Sequence, residues 1–158
     1  MNHDSRLSGV LHVLLHMAEH DGPVTSEMLA RAMNTNAAVV RRTLAGLRER
    51  GFVRSEKGHG GGWRLGRDLA AITLADVYDS LGRPSLFAIG HRDADPACLV
   101  EQAVNVHLDG VLREAEALLL ARLRAVTLAD LSAEFHARFS ARPGARSLES
   151  SHGGPSRP

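Results

Sequence analysis

The sequence predicts a mainly α-helical fold carrying one small β-hairpin, and three observations support that expectation. Apolar residues recur at helical spacing through residues 5–20, 25–50 and 96–124. Two short β-type runs, Val53 to Ser55 and Trp63 to Leu65, flank a turn holding Gly58, Gly60, Gly61 and Gly62. The tetrapeptide Thr-Leu-Ala-Asp occurs at 73–76 and again at 127–130, each time where a helical run begins.

The first helix is expected over residues 5–20. Leu7, Val10, Leu11, Val13, Leu14, Leu15, Met17 and Ala18 fill one arc at 100° per residue, and Asp21-Gly22-Pro23 stops it. Thr25 caps a second helix with Glu27 in its first turn and Leu29, Ala30 and Met33 facing inward. After the turn Asn34-Thr35-Asn36, Asn36 caps a third helix that is anchored by Val40, Leu44 and Leu47 and closed by Gly51. The hairpin comes next, and then a helix from Ile72-Thr73 to Leu81-Gly82, where Asp76 completes a capping box and Ile72 staples against Val77.

Residues 83–95 have no period and read as a loop. Asp95 as N-cap and Pro96 at the first helical position open a long helix to about Arg124. Its stripe runs through Val100, Val104, Leu108, Val111, Leu112, Ala115, Leu118, Leu119 and Leu123. At 1.5 Å per residue this helix spans roughly 40 Å, more than a small domain covers alone. A homodimer through the 96–124 helix is therefore expected, against the alternative of a helix packed inside its own monomer. Thr127 caps a final helix to about Phe139. The organisation expected is a winged helix-turn-helix over 1–82, a loop over 83–95, dimerisation helices over 96–139 and a disordered tail over 140–158.

Charge is distributed unevenly. The net charge of the 158 residues is +1, yet the stretch from Arg41 to Arg67 carries eight basic residues against Glu49 and Glu56. Such a patch is an electrostatic footprint for a polyanion, against the alternative of a merely solvated basic face. Two helices joined by a tight polar turn and followed by a glycine-rich basic hairpin form a winged helix-turn-helix, so double-stranded DNA is the expected partner. Arg41 and Arg42 are the foremost candidate contacts, to guanine edges or phosphates. Thr35 and Asn36 can bond a phosphate or simply cap. Arg54, Lys57 and Arg64 are candidate backbone contacts, and His59 with Gly60 at the wing tip is placed to approach a minor groove. A winged-helix module that binds protein instead of DNA fits the basic stretch less well.

The family resemblance rests on Gly22-Pro23-Val24, on Leu47-Arg48-Glu49-Arg50-Gly51, and on the wing Gly58-His59-Gly60-Gly61-Gly62-Trp63-Arg64-Leu65. It continues through Ile72-Thr73-Leu74-Ala75-Asp76-Val77 and Cys98-Leu99. Residues 5–135 resemble the Rrf-two (Rrf2) family of bacterial winged-helix transcription regulators, which includes the IscR, NsrR and CymR types. The resemblance implies a dimeric DNA-binding regulator, usually a repressor, on a palindromic operator. Iron–sulfur members carry three cysteines in the loop and helix start, whereas this chain has Cys98 alone and Glu101 at the fourth-ligand position. The resemblance is to the cluster-free members, and no cofactor is expected.

Two further groups are candidate sensors. Cys98 near the start of the long helix faces exposed N–H groups that favour thiolate, with a quiet packed cysteine as the alternative. His12, His16 and His20 recur every four residues on the polar face of the first helix, where neighbours can share a metal or stand as ordinary surface histidines. No phosphate-binding loop, nucleophile elbow or other enzyme constellation occurs. The absence of a bilayer-length apolar run and of a signal-type N-terminus leads to the expectation of a cytoplasmic protein without membrane contact.

Overall fold

The computed structural model describes residues 4–141. Six helices run in the order α1 (Arg6–Ala18), α2 (Ser26–Ala32), α3 (Ala37–Glu49), α4 (Leu74–Ser80), α5 (Leu99–Ala125) and α6 (Leu128–Ser140), with β1 (Val53–Glu56) and β2 (Gly62–Leu65) between α3 and α4. The tail expected over 140–158 lies outside the described residues except for its first two positions.

Local sequence sets most boundaries as expected. Thr25 Oγ1 accepts from the Met28 N–H at 3.2 Å, and Asn36 Oδ1 accepts from Ala38 and Val39 at 3.1 and 3.0 Å. Both caps satisfy donors that a helix start leaves unpaired. Asn34 makes the turn at φ +50°, and Gly51 closes α3 at φ +75°. A short 3₁₀ turn over Leu69–Ala71, capped by Asp68, joins the hairpin to α4; no apolar period marks so short an element in the sequence.

One core joins these elements. Val10, Val13 and Leu14 of α1 pack with Leu29 of α2, Val40, Leu44 and Leu47 of α3, Val53 and Trp63 of the hairpin, Ile72, Val77 and Leu128. The hairpin pairs Val53 with Leu65 and Ser55 with Trp63 in antiparallel register. Its second strand is held from its other edge as well. The Val24 N–H donates to the Trp63 carbonyl at 2.9 Å, and the Trp63 N–H donates to the Val24 carbonyl at 2.8 Å. The approach is close enough that a Cβ on Gly62 would lie 2.6 Å from the Val24 oxygen, so glycine is required there. The Trp63 indole Nε1 also donates to the buried Ser26 Oγ at 3.0 Å.

The two Thr-Leu-Ala-Asp boxes lie side by side. Thr73 and Thr127 form an antiparallel bridge, with the Leu74 N–H donating to Val126 and the Leu128 N–H to Ile72, both at 2.9 Å. Each threonine caps its own helix in a complete capping box with Asp76 or Asp130. The repeat thus fixes α4 and α6 to one another through main chain.

Two expectations about α5 need correction. The helix begins at Leu99 with Cys98 as its N-cap, not at Asp95 and Pro96. Pro96 is buried and its carbonyl accepts from Gln102 Nε2 at 2.9 Å, while the Asp95 N–H is taken by Asp93 Oδ1 at 3.1 Å. These local side-chain bonds hold residues 93–96 in an irregular turn, so the loop extends to Cys98. The side chain that α5 buries is Leu120, which lies outside the expected stripe. Most of the stripe is open: Val100 is 72% exposed, Val111 64% and Leu118 68%.

Two outcomes test these contacts. Ser26→Ala strands the buried indole N–H and is expected to cost about 1–3 kcal/mol in urea unfolding, and less when the same substitution is made in a Trp63→Phe background, where no indole N–H is left to strand. The Thr127 backbone N–H, then its hydroxyl, hold the Asp130 carboxyl below its ordinary value. A lowered folded-state value means that this contribution is present at neutral pH and lost as pH falls through the acid range. Asp130→Asn should therefore lower the urea midpoint near neutrality and flatten its acid limb, and a limb of unchanged slope would remove the box from the account.

Candidate nucleic-acid interface

The helix-turn-helix presents α3 with its core face turned inward and the opposite face to solvent. Val40, Leu44 and Leu47 are buried, whereas Arg41, Arg42, Arg48 and Glu49 are exposed. Arg41 points toward α2, where its Nη1 lies 3.5 Å from Glu27 Oε1. Arg42 lies on another side of the helix, lining a groove of about 300 Å³ with Arg6, Val39, Thr43, Gly46, Ser80 and Leu81. The two arginines occupy different sides because successive helical residues are 100° apart.

The wing holds its tip away from the body. Gly58 and Gly60 have φ of +99° and +80°, and the Gly61 N–H closes the turn onto the Gly58 carbonyl at 3.0 Å. His59 and Lys57 are exposed at this tip. Arg54 and Arg64 stand opposite each other across the strands and share Glu56: the Arg64 Nε lies 3.1 Å and the Arg54 Nε 3.9 Å from its Oε1. The Arg64 contact is a charge contact without hydrogen-bond geometry. The Arg54 pair is exposed and contributes at most a few tenths to about 1 kcal/mol, whereas Arg64 is half-buried with its Nε enclosed beside Glu56.

Several expected residues are already committed. Asn36 spends its side-chain oxygen on capping, while Asn34 and Thr35 are exposed polar groups of the same turn. Arg67, counted in the basic stretch, donates to the Arg50 carbonyl at 3.1 Å and lies over the Phe52 ring at 5.1 Å, so it ties the wing base to the end of α3. Arg6 was invisible as part of this surface because it lies far from the basic stretch in sequence. Glu27 and Glu56 were legible as acids, but not as partners of Arg41, Arg54 and Arg64.

The two candidate sensors are also placed. Cys98 is exposed and borders a groove of about 400 Å³ with His91, Arg92, Glu101, Val104 and Leu108. The backbone N–H groups of Glu101, then Val100, draw its thiol below the ordinary value. His12 and His16 meet, while His20 is turned to the backbone of Gly22 and stands apart from them. Among the described residues no three His, Cys, Asp or Glu side chains converge as a metal site, and no helix is long and apolar enough to cross a membrane.

A helix-turn-helix with an exposed arginine-bearing second helix, followed by a basic hairpin, defines the class of winged-helix transcription regulators. Residues 3–134 match the Rrf2 family, described as iron-dependent transcriptional regulators. The chain belongs to the Rrf2 family. It is 30% identical over 129 residues to YwnA of Bacillus subtilis, described as an HTH-type transcriptional regulator, covering 81% of this chain and 95% of that one. A transcriptional regulator from Lactobacillus plantarum superposes with a TM-score of 0.68 at 26% identity, over 84% of this chain and 90% of the other. IscR of T. potens shares the fold, with a TM-score of 0.64 at 20% identity over 90% and 94% of the two chains. The donor set of this chain does not fit a three-thiolate iron–sulfur cluster, because Cys98 is its one cysteine.

The lowered Cys98 value has a sign that can be checked. More of the thiol is thiolate near neutrality than in the unfolded chain, and thiolate is the nucleophile. Alkylation by iodoacetamide should therefore rise with pH at a lower midpoint in the folded protein than in urea. Coincident midpoints would show that the helix start does not act on the thiol.

Proposed function

We propose that this Rrf2 regulator acts as a homodimer that represses transcription by occupying a palindromic operator, with α3 in the major groove and the wing on the flanking backbone. The observation that carries this reading is the pairing of an exposed cationic α3 and wing with an apolar stripe on α5 that its own chain leaves open. Two copies joined through α5 would present two recognition helices related by a two-fold axis, and such symmetry matches an inverted repeat. In this reading Arg41 and Arg42 contact base edges or phosphates. Thr35, Arg54, Lys57 and Arg64 hold the backbone, and His59 and Gly60 approach the adjacent minor groove. Catalysis has no part in it, and no resident cofactor is invoked.

A second reading places a signal at Cys98. Its exposure, its lowered thiol value and its groove beside the α5 stripe favour it. Oxidation of the thiolate by peroxide to the sulfenic acid, and condensation of that acid with a small thiol to a mixed disulfide with release of water, would each add bulk beside the surface that sets the spacing of the recognition helices. Peroxide should change operator affinity in the wild type and not in Cys98→Ser. An identical response in both would remove Cys98 from signalling.

Operator fragments selected from genomic DNA by purified protein provide the main test. Arg41→Ala or Arg42→Ala should weaken operator binding by about 1–3 kcal/mol where the residue reads a base, and Lys57→Ala should weaken all sequences and lower the salt slope by about one. Wild-type affinity in both arginine variants would displace α3 from the groove. Val111→Asp with Leu118→Asp alters side chains exposed within one chain, so helicity should persist while sedimentation shifts from dimer to monomer and operator affinity falls. A wild-type monomer at micromolar concentration would overturn the dimer.

A further inference from the structure

The polar face of α1 carries an arrangement that neither DNA binding nor dimerisation uses. His12 and His16 are four residues apart and therefore stacked on one side of the helix. Their rings are 4.5 Å apart between centroids at 51°, and the two Nε2 atoms face each other at 2.7 Å. Two imidazolium ions could not hold this contact, since both facing nitrogens would be donors. At least one facing nitrogen therefore presents a lone pair, and the other ring presents a second by moving its Nε2 proton to Nδ1 when that ring is neutral, or by releasing the proton to solvent as the ion binds when both its nitrogens are protonated.

We propose that His12 and His16 form a bidentate site for a borderline divalent d-block cation, of the copper(II) or nickel(II) class. Imidazole suits these ions, and metal–nitrogen bonds of about 2.0–2.1 Å place two cis ligands of a tetragonal ion about 2.9 Å apart. The observed 2.7 Å needs only a slight rotation of either ring to reach that separation. A tetrahedral ion would require about 3.3 Å and a larger opening of the pair. The remaining positions are filled by water, because His20 is turned to Gly22 and no third His, Cys, Asp or Glu among the described residues converges on the pair. The exposed position of His12 leaves the ion an open path. The helix pre-organises both ligands, so the second bond forms at a high effective concentration.

The site lies outside α3, the wing and the Cys98 groove, and it stands or falls separately from the regulatory reading. Its test uses the full-length untagged chain titrated calorimetrically with nickel chloride at neutral pH. Saturable binding of one ion per chain is expected, weakened about a hundredfold by His12→Gln or His16→Gln and unchanged by His20→Gln or His107→Gln. The copper(II) form should show hyperfine coupling to two nitrogens, reduced in either single variant. Circular dichroism of the variants checks that α1 remains helical. Absence of saturable binding by the wild type, retained affinity in the double variant, or an equal loss in His20→Gln would each overturn the assignment.

Discussion

The docking of Trp63 onto the segment before α2 is the constraint on which the position of the wing beside the helix-turn-helix depends. A two-stranded hairpin has little stability of its own in water. Here β2 is bonded on one edge by β1 and on the other by the paired main-chain bonds between Val24 and Trp63. The indole then carries its polar handle to Ser26 inside the core, so the large apolar ring is buried without stranding its N–H. Because Val24 and Ser26 immediately precede and begin α2, the wing is fixed relative to the helix-turn-helix. Beyond this anchor the chain reverses at the tip, where Gly58 and Gly60 take positive φ.

The repeated capping boxes do the corresponding work on the other side of the core. Each box by itself starts a helix. Their main-chain bridge between Thr73 and Thr127 adds a contact across more than fifty residues, and it brings Leu128 beside Ile72 in the buried core. The chain leaves by α5 and returns by α6 through this bridge, so the long helix is held at its C-terminal end, where Leu120 is buried. Along the rest of the helix Val100, Val104, Val106, Val111 and Leu118 stay open. That polarity, anchored end against open stripe, explains why a helix of 27 residues contributes one buried side chain to its own monomer.

Electrostatics on the recognition surface is less one-sided than the basic stretch suggests. Glu27 approaches Arg41, and Glu56 sits between Arg54 and Arg64. These pairs hold long side chains in place and moderate self-repulsion within a dense cationic patch.

The sequence by itself determined the helix caps, the hairpin, and the inward faces of α1, α2 and α3. Those features depend on neighbours within a few residues: Thr25, Asn36, Thr73 and Thr127 find their donors in the next turn, and glycines at 58–62 permit one reversal. The family was legible for the same reason, since its motifs are local strings. Tertiary structure decided what requires distant partners. Only the fold brought Ser26 to Trp63, Glu27 to Arg41 and one capping box to the other, because each pair meets through the packing of separate elements and not along the chain. It also moved the start of α5 from Pro96 to Leu99, where burial of the proline ring and the reach of Gln102 outweighed a favourable local cap. Periodicity marked the stripe on α5 as apolar, but could not say that Leu120 alone turns inward. Which face a helix buries is set by what lies beside it, and that neighbour is known only once the chain has folded.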